Sequence, residues 1–95
     1  KLCIVSSGSK DNVLRALKKL NYLKFFDPII CAEDLEKTKP YPDGFNLALK
    51  LTGMNAKEAI IFEDARPGFE AALAAKIDYV DINQTSWKQL LDLIS

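Results

Sequence analysis

Two charged segments carry residue types that handle a phosphoryl group: Thr38-Lys39-Pro40-Tyr41-Pro42-Asp43 and Ile60-Ile61-Phe62-Glu63-Asp64-Ala65-Arg66-Pro67-Gly68. The second reads as a short buried strand that delivers two adjacent carboxylates to its carboxyl end, where open α/β sheets place their ligands. The first supplies a cation, Lys39. Phosphoryl chemistry with Mg²⁺ needs both: hard oxygen ligands for the metal, and a positive side chain facing the charge on the transferring oxygens. A third segment, Ser6-Ser7-Gly8-Ser9, lies between an apolar run and a helical pattern. A strand, a Ser/Gly turn and a helix amino terminus make an anion site of hydroxyls and free amides.

Each candidate also has a plainer reading. Ser6 and Ser7 read alone as the end of a strand and a turn, Lys39 as a solvated loop lysine, and Asp43 as a helix cap. Glu63 and Asp64 are harder to reduce to surface charge, because adjacent carboxylates at the end of an apolar strand repel unless a cation or donors compensate. Arg66 is one candidate compensator and a metal ion the other. The position at the ligand-binding edge of a sheet favours the metal.

The elements that must position these groups alternate along the chain. Leu2 to Val5 reads as a strand buried on both faces, and a helix follows from about Lys10 to Leu20, with Val13, Leu14, Leu17 and Leu20 at helical spacing and Ser9 as its cap. Ile29 to Cys31 is a second strand. Phe45, Ala48, Leu49 and Thr52 mark a helix with Asp43 near its start and Gly53 as its stop. Asn55 and Glu58 resemble a capping box on one further turn before the strand Ile60 to Phe62. Pro67 suits the first turn of a helix through Ala75, whose alanines allow close packing on a sheet. Tyr79 to Ile82 makes a fourth strand, and Ser86 with Gln89 caps a last helix carrying Trp87, Leu90, Leu91 and Ile94 on one face. The alternation predicts an α/β fold: a parallel sheet with helices on its faces.

The 95 residues bound the answer to one domain with a modest core. Thirteen basic and thirteen acidic residues leave no net charge, which argues against nucleic-acid and anionic-membrane partners. No apolar run approaches a membrane span and no leader resembles a signal peptide, so the cytoplasm is the expected location. Histidine is absent, which removes His-based triads and bases. Cys3 and Cys31 lack metal-ligand spacing and read as buried thiols. The chain opens on Lys1 directly before a strand, and is read as a piece of something longer.

At these residues the chain resembles the haloacid dehalogenase superfamily, in particular its β-phosphoglucomutase-like phosphatase and phosphomutase branch. Val5-Ser6-Ser7-Gly8-Ser9 is similar to the family's second motif, a strand ending in Ser or Thr. Lys39-Pro40-Tyr41-Pro42-Asp43 matches its K-P-x-P-D lysine motif, and Phe62-Glu63-Asp64 with Gly68 and the alanines to Ala75 resembles the fourth, acidic motif. Three such motifs in order, over essentially the whole chain, form a strong signal. The resemblance implies a Rossmann-like three-layer α/β/α core with a parallel sheet. It also implies that Ser6 hydrogen-bonds the transferring phosphoryl group with help from the Ser7 and Gly8 amides, Ser7 being second choice for the hydroxyl. Lys39 neutralises charge on nucleophile and phosphoryl oxygens, and Asp64 holds Mg²⁺ with Glu63 beside it.

The sequence departs from the family where the nucleophile belongs. No D-x-D, the first motif, occurs in it, and no cap domain, so residues 1–95 are expected to form a partial core domain, inactive alone. Ala65 stands in place of the usual Ser, and Lys76 in place of Gly after the alanines, where a left-handed helix stop would cost about 1 kcal/mol. The implied activity is hydrolysis of a small phosphorylated metabolite through an aspartyl-phosphate. The alternatives are phosphomutase, a receiver-like module, against which the order Ser, Lys-Pro, acidic pair argues, and a non-catalytic interaction module. In the family the first-motif strand lies centrally, so the strands ending at Val5 and Phe62 are not expected to pair. Another segment of the protein, or another chain, should fill the gap between them.

Overall fold

Short-range signals set where each helix begins and ends. A computed structural model describes residues 1–84 together with Ser86, Lys88, Gln89 and Asp92. Ser9 caps α1 (Lys10–Lys19), its hydroxyl accepting from the Asn12 amide at 3.2 Å. Leu17 is buried and Val13 and Leu14 are half-buried, but Leu20, predicted on the same face, takes the C-cap position and is exposed. In α2 (Asp43–Thr52) the cap position belongs to Pro42, not to Asp43 as predicted. Asp43 is instead the first helical residue, where its charge still favours the helix dipole. Gly53, at φ 69°, closes α2 in the left-handed region. The Asn55 amide donates to Glu58 Oε1 at 3.0 Å across one 3₁₀ turn, Ala56–Glu58, as the capping pattern predicts. α3 (Arg66–Ala75) carries Pro67 in its first turn and ends at Lys76, which adopts φ 60° and ψ 39°. The helix therefore stops in the left-handed region without glycine.

Among the described residues four short strands run parallel in two pairs. β1 (Ile4–Val5) lies beside β2 (Ile29–Ile30) with Ile4 opposite Ile29, and β3 (Ile60–Glu63) beside β4 (Asp78–Asp81) with Glu63 opposite Asp81. The two sheets remain separate, and β1 and β3 do not pair with each other. Two 3₁₀ turns, Leu23–Phe25 and Ala32–Asp34, flank β2 without a clear signal in the sequence.

The core sits where α2, α3 and the strand ends meet. Phe45, Ala71, Ala72, Ala75 and Ile77 are buried, with Val5, Leu49 and Ile61 packed against them. Alanines on α3 permit this approach, and Gly44 permits another: a Cβ there would lie 2.5 Å from Val5 Cγ1. Phe69 of α3 stacks on Tyr79 of β4 with ring centroids 5.0 Å apart. β3 is not the fully buried strand its apolar run predicts. Ile61 faces the core, whereas Ile60 and Phe62 are 45% and 40% exposed on the other face. The described helix packed on β3 covers only the Ile61 side. β1 is likewise half-buried and two residues shorter than predicted.

Cys31 is fully buried and Cys3 half-buried, both as free thiols, and burial pushes both above the ordinary thiol range. Ser86 and Gln89 exchange the predicted capping bonds, at 2.8 and 3.2 Å. The apolar face predicted for the last helix, Trp87, Leu90, Leu91 and Ile94, lies outside the described residues. No helix among the described residues is long and apolar enough to cross a membrane.

Candidate functional site

The carboxyl ends of β1 and β3 bring the predicted cation and one predicted carboxylate together. Lys39 follows Leu35–Thr38 in the loop before α2, in a turn closed by the Tyr41 amide donating to the Thr38 carbonyl at 3.0 Å. From there its ammonium donates to the Val5 carbonyl at 2.7 Å and to Glu63 Oε2, and passes 5.3 Å from the centroid of the Phe45 ring. The Val5 carbonyl belongs to the unpaired edge of β1, so Lys39 satisfies an acceptor that no strand does. The side chains of Lys39 and Glu63 are only 14% and 11% exposed, and their pairing is screened less than a surface ion pair. Lys39 is thus not the solvated loop lysine of the plainer reading.

Glu63 reaches Lys39 because Gly68 leaves room for it. A Cβ on Gly68 would lie 2.6 Å from Glu63 Cγ and closer still to its carboxyl carbon. The carboxylate therefore folds over the first turn of α3, and β3 stays paired to its end, with Ile82 donating to the Glu63 carbonyl at 3.0 Å. Arg66, the other candidate compensator, lies elsewhere: it is exposed and approaches Glu70 at 3.8 Å. Lys39, not Arg66, is the side chain that compensates Glu63.

Asp64 lies outside this ion pair. Its side chain is exposed, while its backbone carbonyl accepts from Asn83 Nδ2 at 2.6 Å. Glu63 and Asp64 together offer hard oxygen donors of the kind Mg²⁺ takes, but one of the Glu63 oxygens is engaged by Lys39. Among the described residues no group of three acidic, His or Cys side chains is placed to hold a metal ion. The donor set fits Mg²⁺ in chemistry and supplies only part of its coordination.

At the Ser6 turn the geometry narrows the predicted anion site. Ser6 is half-buried, and its Oγ accepts from the Gly8 amide at 3.0 Å. Among the described residues no acceptor takes the Ser6 hydroxyl proton, whereas the Gly8 amide is already engaged. Ser7 and Gly8 are exposed. The amino end of α1 is also engaged: the Lys10 amide donates to both oxygens of Glu33, at 2.9 and 3.1 Å. Glu33, Asp34 and Asn83 escaped the sequence reading, since each acts on a residue some twenty positions away and no motif marks that pairing.

Parallel strands joined by helices, with a lysine and a carboxylate meeting at the strands' carboxyl ends, define an α/β domain of the Rossmann-like class with its charged site at the expected edge. Residues 1–82 match the model of the haloacid dehalogenase-like hydrolases. The chain belongs to that family. It is 37% identical over 84 residues to validoxylamine A 7'-phosphate phosphatase of Streptomyces hygroscopicus subsp. limoneus, covering 88% of this chain and 39% of the relative. It is 35% identical over 79 residues to a fructose-1-phosphate phosphatase of Escherichia coli, covering 82% and 42%. A crystal structure from Thermotoga maritima, provisionally named a β-phosphoglucomutase, superposes with a TM-score of 0.78 at 28% identity over 97% of this chain and 44% of that one. The chain spans about two fifths of the length of these two relatives.

Proposed function

We propose that this chain forms part of the core domain of a Mg²⁺-dependent phosphohydrolase of the cytoplasm, acting on a small phosphorylated metabolite. One observation carries the reading: the Lys39 ammonium is held, nearly buried, between the end of β1 and Glu63. A cation fixed there has no reorganisation to make when negative charge develops beside it, which is how preorganised electrostatics lower a phosphoryl-transfer barrier. Ser6, next to Val5, presents a hydroxyl proton to a phosphoryl oxygen, with the Ser7 amide beside it. Asp64 and Glu63 would hold Mg²⁺, which supplies neutralisation of charge on the phosphoryl oxygens. The nucleophilic Asp of an aspartyl-phosphate pathway is assigned to a segment outside these 95 residues. The named phosphatases among the relatives support hydrolysis, and the β-phosphoglucomutase likeness supports phosphomutase as the second reading.

The test is phosphatase turnover by the full-length protein. Lys39→Ala should lower the rate by at least about two orders of magnitude, as losing one preorganised donor does elsewhere. Asp64→Asn should abolish the response to Mg²⁺. A rate near that of the unaltered protein in Lys39→Ala, or no turnover with p-nitrophenyl phosphate and sugar phosphates at all, refutes the reading. Transfer of the phosphoryl group to a second sugar hydroxyl in place of water selects the phosphomutase.

A further inference from the structure

The turn that carries Ser6 is held by more than its own bond from the Gly8 amide to Ser6 Oγ. Five residues, Ile30 to Asp34, grip it from the neighbouring strand. The Ser6 amide donates to the Ile30 carbonyl at 2.9 Å, and the Ala32 amide to the Gly8 carbonyl at 3.0 Å. Those two bonds are backbone to backbone and any sequence could make them. The remaining links need particular side chains. Both Glu33 oxygens accept from the Lys10 amide, and Lys10 Nζ meets the Asp34 carboxylate at 2.6 to 2.8 Å. Asp34 in turn accepts from the Cys31 amide at 2.9 Å, which ties it to the fully buried residue at the end of β2.

We propose that Glu33 is a positioning residue that fixes the Ser6 turn against the segment leading to Lys39. The proposal rests on the phosphohydrolase reading above and adds to it a residue that no motif of this chain contains. Its logic is electrostatic and geometric together. The first amides of α1 lack intrahelical partners and carry the positive end of the helix dipole, so a carboxylate bound there is favoured. Because Glu33 supplies that carboxylate from a segment 23 residues away, the contact sets where α1 begins in space rather than merely capping it. Five residues separate Glu33 from Lys39, so one short stretch of chain holds the Ser6 turn at one end and places the ammonium at the other. The same occupancy keeps substrate phosphate off the amino end of α1. At this turn it leaves the Ser6 hydroxyl and the Ser7 amide as its donors.

The experiment uses the full-length protein, p-nitrophenyl phosphate as substrate, and amide NMR as a readout independent of turnover. Glu33→Ala should lower kcat by about 10- to 100-fold with KM changed less than about threefold, since a displacement of about 1 Å costs chemistry more than binding. The Lys10 amide signal should shift and lose exchange protection, and the Gly8 amide should shift with it. Glu33→Gln, which keeps one acceptor oxygen, should restore much of kcat. Unchanged Lys10 and Gly8 amides, or shifted amides with an unaltered kcat, overturn the proposal. Loss of kcat in Glu33→Ala that tracks only its thermal midpoint, with no rescue by Glu33→Gln, also overturns it. Absence of turnover in the unaltered protein refutes the phosphohydrolase reading instead, and with it a positioning role in catalysis, while the amide signals still decide whether Glu33 holds the turn.

Discussion

Replacing Gly68 by Ala should destabilise the protein although alanine is the better helix former, and the reason lies in Glu63. Position 68 is in the first turn of α3, where Ala in place of Gly would ordinarily gain up to about 1 kcal/mol. Here the new methyl would lie 2.6 Å from Glu63 Cγ, and ordinary contact begins at 3.4 Å. The Glu63 side chain must give way by most of an ångström at Cγ and by more at its carboxyl carbon, which draws its carboxylate from Lys39. Losing a charge-assisted hydrogen bond at a nearly buried site costs about 1.5–3 kcal/mol. The net effect of Gly68→Ala is then about 1–2 kcal/mol of destabilisation. In a Glu63→Ala background the obstructing atoms are gone, and the same substitution should be neutral or stabilising by up to about 1 kcal/mol. Equilibrium urea unfolding of the four members of the cycle should therefore show an interaction energy of about 2 kcal/mol, well outside the few tenths that independent sites display. If Gly68→Ala costs the same in both backgrounds, the claim that Gly68 exists to admit Glu63 is wrong.

Two further outcomes follow from local geometry. Lys76→Gly should raise stability by about 1 kcal/mol, read as a higher urea midpoint, because a non-glycine residue holds the left-handed stop of α3; an unchanged or lower midpoint would show that the Lys76 side chain compensates. The Lys10–Asp34 pair should make stability depend on pH at both extremes. The Lys10 partner and the Cys31 amide hold Asp34 below the ordinary carboxylate range, so its contribution is complete above about pH 4 and is lost as pH falls through its lowered value. Hydrogen bonding to Asp34 raises Lys10, so that contribution is complete below about pH 10 and is lost as pH rises through its raised value. Asp34→Asn should flatten the unfolding midpoint at both ends, and an unaltered pH profile would contradict this account.

How much of this was legible in the sequence depends on range. Ser9, Gly53, Asn55 with Glu58, and Pro67 act within three or four residues of themselves, so their types fixed helix starts and stops correctly before any fold was known. Strand burial is less legible, because an apolar run such as Ile60-Ile61-Phe62 reports what a strand can bury, not what lies against each of its faces. At the site, Lys39 and Glu63 were both picked out as charged groups at turns, yet their pairing was not. Arg66, three residues from Glu63 in sequence, was the nearer candidate, and only the close approach that Gly68 allows decides for Lys39, 24 residues away. The Glu33 contact left no local trace, since Ala32-Glu33-Asp34 reads as an ordinary acidic turn.

The position of Lys39 also bears on how the two sheets relate. β1 and β3 share no strand hydrogen bonds, yet the ammonium touches the end of each, through the Val5 carbonyl and the Glu63 carboxylate. The spacing of the sheets and the location of the cation are therefore one geometric variable: any change that draws β3 from β1 must break one of the two bonds. Ile60, Phe62 and Leu2 leave apolar surface exposed along or beside those inner strands, and the inner edges leave unpaired backbone groups, both of which favour acceptance of a further strand. A segment entering there would pair with the edge to which the Val5 carbonyl belongs and compete with Lys39 for that acceptor, leaving Glu63 as the partner that holds the ammonium. Completing the sheet would then turn one of the ammonium's bonds from β1 towards the group that the entering segment brings.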